Sequence, residues 1–298
     1  MKASRILVTA LTLSLTLGAG AARAAPKGSP WGANYFPNVS LVTQDGKTVK
    51  FYDDLIKDKL VVFSFIYTHC TKQCGLITAS LVRVQRELGD RMGKDIHFYS
   101  VSLDPERDTP EVLARYAKTF HAGPGWTFLT GDKADIQLIR RKLGDRESVE
   151  EHTASLNIGN DVTGQWMATG AVDNPKYLAI VIGDWLDPSW EKRKPVNSYV
   201  DAPRVAADQT GDLFRQKCVS CHMPTGDSVG PKLDGVVALR GRTWLTRWLK
   251  APEKLVDEKD PVALELLARH GDVLMPNLEL SDEQVTALVD HMDKGRRP

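Results

Sequence analysis

The sequence has few cysteines and no strong excess of charge of either sign. Its 298 residues contain four cysteines in two close pairs, so none is left over for a long-range disulfide. The formal net charge is +1, which argues against a nucleic-acid partner or attraction to an anionic membrane through a basic surface. No apolar run reaches the roughly 20 residues needed to span a bilayer. Internal repeats and low-complexity tracts are also absent beyond the N-terminal segment.

The N-terminal segment has the pattern of a secretory signal peptide. Lys2 and Arg5 precede an apolar core over residues 6–17, and small residues follow as far as Ala24. We expect cleavage after Ala24 and export, to the periplasm in a bacterial cell, where oxidising conditions permit disulfides. The alternative is an uncleaved segment that associates the chain with a membrane.

Composition and periodicity divide the remaining chain into two domains. Residues 25–185 alternate apolar strands with amphipathic helices, which predicts an α/β domain with parallel strand pairing. Residues 186–203 contain three prolines among charged and small polar residues, and we interpret them as a linker. Residues 204–298 show helical periodicity, so the second domain is predicted to be small and all-α. The predicted order is signal peptide (1–24), α/β domain, linker and all-α domain.

The segment CVSCH, residues 218–222, has the C-x-x-C-H pattern of covalent haem c attachment. Cys218 and Cys221 lie one helical turn apart, which allows both thiols to bond the vinyl groups of one haem. The adjacent His222 then faces the iron. The sequence therefore predicts one covalent haem c with His222 as an axial ligand.

The second axial ligand is predicted by elimination. Met223 is bonded to His222 and cannot reach the opposite face of the haem, and Met292 lies in the apolar stripe of the last predicted helix. Met275 lies in a loop before a proline, so it is the best candidate. His270, at a predicted helix end, is the reserve.

Residues 204–298 resemble the small class I cytochromes c. The segment GPKLDG, residues 230–235, matches their G-P-x-L-x-G pattern. The resemblance implies that the carbonyl of Pro231 orients His222 through its Nδ1, a contact that raises the basicity of the ligand. Ligation by histidine and methionine raises the reduction potential and leaves no open position for oxygen chemistry. We therefore expect this domain to transfer one electron at a time.

The other cysteine pair lies where an apolar run meets a predicted helix. In FIYTHCTKQCGLI, residues 65–77, Cys70 and Cys74 have C-x-x-x-C spacing. A helix N-terminus favours the thiolate, which suits either redox chemistry or metal binding. A disulfide across so short a loop would add little stability, which disfavours a purely structural role.

The chain from about residue 30 to 185 resembles the Sco/SenC family, thioredoxin-fold copper proteins that help to assemble the CuA centre of cytochrome c oxidase. The resemblance rests on FSFIYTHCTKQC, SVSLDPERDTPEVLARYA and GWTFLTG. It implies a thioredoxin-like fold and one copper ion bound by Cys70, Cys74 and His152, with Asp104 as a carboxylate beside the site. Soft thiolates favour Cu(I), and an added imidazole gives a trigonal site that also tolerates Cu(II).

Two positions depart from the family pattern. The chain has Thr71 and Gly75 after the two cysteines, where the family usually carries prolines. The remaining histidines of this domain, His69, His97 and His121, are expected to be structural or solvated rather than ligands.

These features predict an exported copper-binding protein that carries haem c. We expect copper delivery or redox control during assembly of the CuA centre, with one-electron transfer between the haem and the copper or thiol site. The expected partners are an oxidase subunit or another copper-receiving protein and a redox partner protein. A haem passes one electron, which matches Cu(II)/Cu(I), whereas a disulfide takes two.

Two alternatives remain. One is a thioredoxin-like thiol-disulfide or peroxide oxidoreductase coupled to the cytochrome, with Cys70 and Cys74 as its catalytic thiols. The other is a plain periplasmic electron carrier. The sequence favours a metallochaperone or electron-transfer protein over an enzyme.

Overall fold

The computed structural model describes residues 30–146, 155–171, 174–185, 208–223 and 228–294. The predicted signal peptide, the predicted linker and the predicted copper ligand His152 lie outside these ranges. Within them, no helix has both the length and the apolar character needed to cross a membrane.

The N-terminal domain is built on a seven-stranded mixed sheet with the order β2-β1-β5-β4-β3-β6-β7. The neighbouring strands β3, β4 and β5 are parallel, as predicted, and the hairpins at both edges add antiparallel strands. The strands are β1 (Ser40–Thr43), β2 (Thr48–Lys50), β3 (Leu60–Ile66), β4 (Ile96–Ser102), β5 (Trp126–Gly131), β6 (Ser155–Asn160) and β7 (Gln165–Gly170).

Helices cover both faces of this sheet. The N-terminal domain contains α1 (Cys74–Leu88), α2 (Pro110–Thr119), α3 (Lys133–Lys142) and α4 (Pro175–Ile180). Single helical turns lie at Phe51–Ile56, Gly89–Arg91 and Val181–Trp185. Side chains of α1, α2 and α4 pack on one face, and those of α3 and the turn Phe51–Ile56 pack on the other. Because it is covered on both sides, β3 has all seven side chains buried, which explains why every residue except Ser64 is apolar.

The C-terminal domain is entirely helical over its described residues. It contains α5 (Gln209–Lys217), α6 (Val236–Arg240), α7 (Arg242–Lys250), α8 (Pro252–Asp257), α9 (Pro261–Arg269) and α10 (Asp282–Asp293). Ser281 and Gln284 form the predicted capping box at the start of α10. One core cluster joins apolar side chains of α5, α6, α7 and α10. Together the two domains confirm the predicted fold class, a thioredoxin-like α/β domain followed by a small all-α domain.

Candidate thiol pair and haem cleft

An apolar cleft in the C-terminal domain collects the residues predicted to hold haem c. It encloses about 1230 Å³ of empty space, part of which is open to solvent. Cys218, Cys221, His222 and Met275 all line it. The rest of the C-terminal lining is mainly apolar and includes Val229, Leu233, Val236, Trp244, Leu245, Trp248, Leu249, Leu274 and Leu278. Burial raises the pKa values of both cleft cysteines to about 12.

His222 is held in one orientation by its neighbours. Its Nδ1 lies 2.7 Å from the carbonyl oxygen of Pro231, so Nδ1–H donates there and Nε2 keeps its lone pair. Burial lowers the pKa of His222, although the hydrogen bond to Pro231 opposes this effect. A Cβ atom on Gly230 would lie only 2.4 Å from Cε1 of the imidazole, so no larger residue fits unless the ring moves. These contacts fit a neutral imidazole ligand to a haem iron.

Three further side chains that could bind iron also reach the cleft. Met275 lies in the loop between α9 and α10, as predicted, and packs against the core of the C-terminal domain. His270, at the end of α9, and Met292, in α10, line the same cleft. Met292 is buried in the helical core, which leaves Met275 and His270 as the two loop candidates.

The buried carboxylate of Asp108 fixes the segment that leads from β3 into α1. This role was not predicted from the sequence. Asp108 is fully buried and accepts hydrogen bonds from the backbone N–H and the hydroxyl of Thr68, at 3.2 and 2.5 Å. It also accepts one from the hydroxyl of Ser102 at 2.6 Å. Because β3 and β4 are parallel neighbours, these donors meet at one edge of the sheet. Asp108 thereby positions Thr68, two residues before Cys70. The D-P-x-x-D-T-P motif, of which Asp108 is the second aspartate, was the feature of the sequence that could have indicated this role.

Cys70 and Cys74 form a hydrogen-bonded pair of free thiols. A hydrogen bond from the Cys74 thiol lowers the pKa of Cys70 to about 5, and burial opposes this shift. The backbone N–H of Cys74 also donates to Cys70 Sγ at 3.4 Å, and the hydroxyl of Tyr67 donates to the same sulfur. Burial raises the pKa of Cys74 far above its ordinary value. Cys70 is therefore a partly accessible thiolate at neutral pH, and Cys74 is a buried thiol.

This asymmetry predicts how alkylation depends on pH. In haem-loaded protein, Cys218 and Cys221 are blocked as thioethers, so iodoacetamide reports on the other pair. Since only the thiolate reacts, we expect the rate of Cys70 alkylation to be half-maximal near pH 5 and nearly constant from about pH 6.5 to 8. Mass spectrometry of peptides measures the rate for each cysteine. A Cys70 rate that keeps rising between about pH 8 and 9.5 would contradict the prediction, since an unperturbed thiol behaves in that way.

Asp104, the carboxylate predicted to lie beside the copper site, contacts His69, which directly precedes Cys70. Its Oδ2 atom lies 3.5 Å from Nε2 of His69 and 3.9 Å from Nε of Arg107. Among the residues that the structure describes, no group of three His, Cys, Asp or Glu side chains could hold a metal ion. The two thiols are donors of the soft kind that Cu(I) prefers, and the predicted third ligand, His152, lies outside the described residues.

The N-terminal domain forms part of the wall of the haem cleft. Gly75 and Leu76, which directly follow Cys74, line it together with Phe120. The ring of Phe120 lies against Tyr116, with 4.5 Å between the ring centroids. Sequence interpretation did not predict this contribution, because it depends on how the two domains pack. The thiol pair and the cysteines predicted to attach haem are thereby brought to one region of the molecule.

Further contacts hold the two domains together at this point. The guanidinium group of Arg83 in α1 donates to the hydroxyl of Ser220 at 3.4 Å, between the two cleft cysteines. Arg86, one turn later, contacts Met223 Sδ at 3.4 Å. Cys221 itself packs against the core of the N-terminal domain. The structure thus defines a thioredoxin-like domain with a thiol pair, packed against a helical domain that contains an apolar cleft.

Two family models match the chain, SCO1/SenC over residues 30–156 and Cytochrome c over residues 207–295. The N-terminal match is therefore to an SCO1/SenC domain and the C-terminal match is to a cytochrome c domain. The SCO1 protein homolog of Bacillus subtilis is 34% identical over 89 residues, which cover 30% of this chain and 45% of that protein. The human mitochondrial SCO1 homolog is 32% identical over 125 residues, with 38% and 40% covered. The chain thus spans less than half the length of these two relatives.

Among solved structures, Bradyrhizobium japonicum ScoI with copper bound is similar to the N-terminal part of the chain. The two are 25% identical, with a TM-score of 0.42, and the match covers 49% of this chain and 96% of that one. A SCO1/SenC family lipoprotein from Bacillus anthracis is 23% identical, with a TM-score of 0.44, and covers 55% and 99% respectively.

Proposed function

We propose that this is an exported copper-binding protein with one covalent haem c. It acts in copper delivery or redox control during assembly of the CuA centre of a respiratory oxidase, with one-electron exchange between the haem and the copper or thiol site. One observation carries the proposal: Gly75 and Leu76, next to Cys74, line the same cleft as Cys218 and Cys221. The match to the SCO1/SenC family supports the copper assignment.

In the C-terminal domain, Cys218 and Cys221 would attach the haem, and His222 and Met275 would bind its iron. The Nδ1–H of His222 donates to the carbonyl of Pro231, which fixes the tautomer and the ring plane. The mainly apolar lining would limit contact between the haem and water. When bound with these two ligands, the haem supplies a one-electron carrier with no open coordination position.

In the N-terminal domain, copper is cargo for the thiol pair. Cys70 presents a thiolate without prior loss of a proton, since its pKa is about 5. Cys74 must give up its proton when the metal binds, and the metal's positive charge compensates for burial of the second thiolate. His152 would complete a trigonal copper site. Asp104, which contacts His69, would add negative charge close to this site.

Copper titration of haem-loaded protein tests this proposal. We expect one copper ion per chain by metal analysis and a thiolate-to-Cu(II) charge-transfer band beside the haem spectrum. His152→Ala should bind Cu(I) at least about tenfold more weakly, because removal of a ligand costs no less than removal of a group that only supports one. His121→Asn is the matched control, since asparagine tolerates the positive φ of 57° at this position. Absence of stoichiometric copper, or equal affinity of His152→Ala and wild type, would rule the proposal out.

The thiol pair also favours a second candidate, a thioredoxin-like thiol-disulfide or peroxide oxidoreductase. A partly accessible low-pKa thiolate beside a buried thiol is the arrangement of a nucleophile and its resolving partner. Rapid turnover of a disulfide substrate by protein that binds no copper would select this alternative.

Export and partners form the remaining part of the proposal. The N-terminal pattern up to Ala24 supports a periplasmic location after cleavage. The copper-receiving partner would be an oxidase subunit or another copper protein, and a separate protein would exchange electrons with the haem. Neither interaction involves nucleic acid, in keeping with the near-neutral charge.

A further inference from the structure

The loop that carries Met275 is in contact with the N-terminal domain on both sides of the methionine. The backbone N–H of Asn277 donates to the carbonyl of Thr71 at 3.1 Å. On the other side, Gly271 approaches Thr119 so closely that a Cβ atom on the glycine would lie 2.6 Å from Thr119 Oγ1. The N-terminal domain therefore restrains the loop at two points.

One of these two points belongs to the thiol turn, residues 70–74. Thr71 directly follows Cys70, and the turn is closed by the hydrogen bond from the Cys74 backbone N–H to Cys70 Sγ. Metal binding and disulfide formation both remove the hydrogen bond from the Cys74 thiol to Cys70 Sγ, because Cys74 loses its proton in each case. The distance between the two sulfur atoms then changes within the turn whose backbone includes the carbonyl that holds Asn277.

We infer that the Thr71 carbonyl is a positioning contact for the sixth haem ligand, and that it couples the state of the Cys70–Cys74 pair to ligation by Met275. The inference rests on the proposed function for the haem and for Met275 as its ligand. Coupling through one contact is reciprocal, so methionine ligation alters the affinity of the thiol pair for its metal by the same factor. Oxidation of the pair by a disulfide oxidant such as oxidised glutathione forms the Cys70–Cys74 bond, breaks the glutathione disulfide and passes two electrons to it. Two glutathione thiols leave; one takes the proton of Cys74 and the other takes a proton from water, because Cys70 is already a thiolate.

Two substitutions of Asn277 distinguish the effect of its backbone hydrogen bond from the effect of its side chain. Asn277→Pro removes the N–H that Thr71 accepts and also removes the side chain. Asn277→Ala keeps this N–H and loses only the side-chain bonds, one to Glu253 at 2.9 Å and one from the N–H of Glu279 at 3.0 Å. The difference between the two variants therefore reports the loss of the contact with Thr71 together with the restriction that the proline ring places on the backbone.

The readouts are the methionine-to-iron absorption band of the ferric haem and the haem reduction potential in the full chain. One hydrogen bond changes an equilibrium constant about two- to tenfold. We expect the ratio of haem without the band to haem with it to be about two- to tenfold higher in Asn277→Pro than in Asn277→Ala. The reduction potential of Asn277→Pro should also be lower. Equal band intensity and equal potential in the two variants would overturn the inference, as would absence of the band from wild-type protein.

A second experiment tests the coupling without a substitution in the loop that carries Met275. Oxidised glutathione is added to wild-type protein and to the double variant Cys70→Ser/Cys74→Ser, whose turn cannot be oxidised. We expect the band and the potential to change in wild type alone. An unchanged haem in wild type, with the Cys70–Cys74 disulfide confirmed by mass spectrometry, would overturn the coupling. Copper binding to untreated, reduced wild-type protein tests the proposed function separately. If this protein binds no copper but its haem still responds to oxidation of the thiols, the copper proposal fails and the coupling stands.

Discussion

Serine at both Cys70 and Cys74 is expected to abolish Cu(I) binding while haem stays attached to the C-terminal domain. The two sulfur atoms are the soft donors that select Cu(I), and a serine hydroxyl is a hard ligand that stays protonated near neutral pH. We expect the affinity for Cu(I) to fall on the order of 100-fold or more, because loss of a group that only supports a metal ligand already costs about 10- to 100-fold.

A competition titration with a Cu(I) chelator measures this loss in haem-loaded protein. Met167→Leu is the matched control, because it removes a partly buried sulfur from the same domain without touching the thiol turn. Its affinity should equal that of wild type. If the double serine variant keeps an affinity within about threefold of wild type, copper binds elsewhere and the thiol pair is a redox couple only.

Alanine at Gly230 is expected to disrupt ligation of the haem by His222. The added methyl group would lie 2.4 Å from Cε1 and 2.6 Å from Nδ1 of the imidazole, so the ring must leave its position against Pro231. Overpacking of this kind costs about 1–3 kcal/mol, which corresponds to roughly a 5- to 150-fold fall in the ratio of correctly ligated to misligated protein. A lower yield of the low-spin haem spectrum and a shifted reduction potential would report the change.

Gly75→Ala is the matched control for Gly230→Ala. It adds the same methyl group to another glycine that lines the haem cleft, but at an ordinary contact distance of 3.5 Å from Phe120. Gly75 also lies in the first turn of α1, where alanine favours the helix by about 0.5–1 kcal/mol. We expect a wild-type haem spectrum and equal or higher stability. Equal spectra from both variants would show that the contact between Gly230 and His222 does not restrain the ring.

The central strands of the sheet were predictable because their burial leaves a strong trace in the sequence. β3 is apolar except for Ser64, as expected for a strand that is covered on both faces, and β4 combines four apolar or aromatic residues with two buried serines. Local chemistry likewise determined helix starts, such as Pro110 and the capping box at Ser281. β7 leaves a weaker signal, because its side chains are largely half-exposed and do not alternate clearly. The sequence from Pro175 is compatible with either a helix or a strand, and packing against α1 makes it helical.

The candidate sites were predictable only where their residues are close in the sequence. The C-x-x-C-H and C-x-x-x-C spacings place their members within one helical turn, so the chain itself brings these side chains together. Asp108 was missed because its donors, Thr68 and Ser102, meet it only when two parallel strands pair. Phe120 was missed for a similar reason, because it reaches the haem cleft from the other domain.

The sequence by itself determined the two domain types, the paired thiols and the haem-attachment segment, because each depends on local spacing or periodicity. The tertiary structure alone decided that Cys70 is the thiolate of its pair, since burial and the hydrogen bond from Cys74 set the two pKa values apart. It also decided that Thr71 contacts the Met275 loop through Asn277. These residues are more than 200 positions apart in the chain, and only the packing of one domain against the other brings them within hydrogen-bond distance.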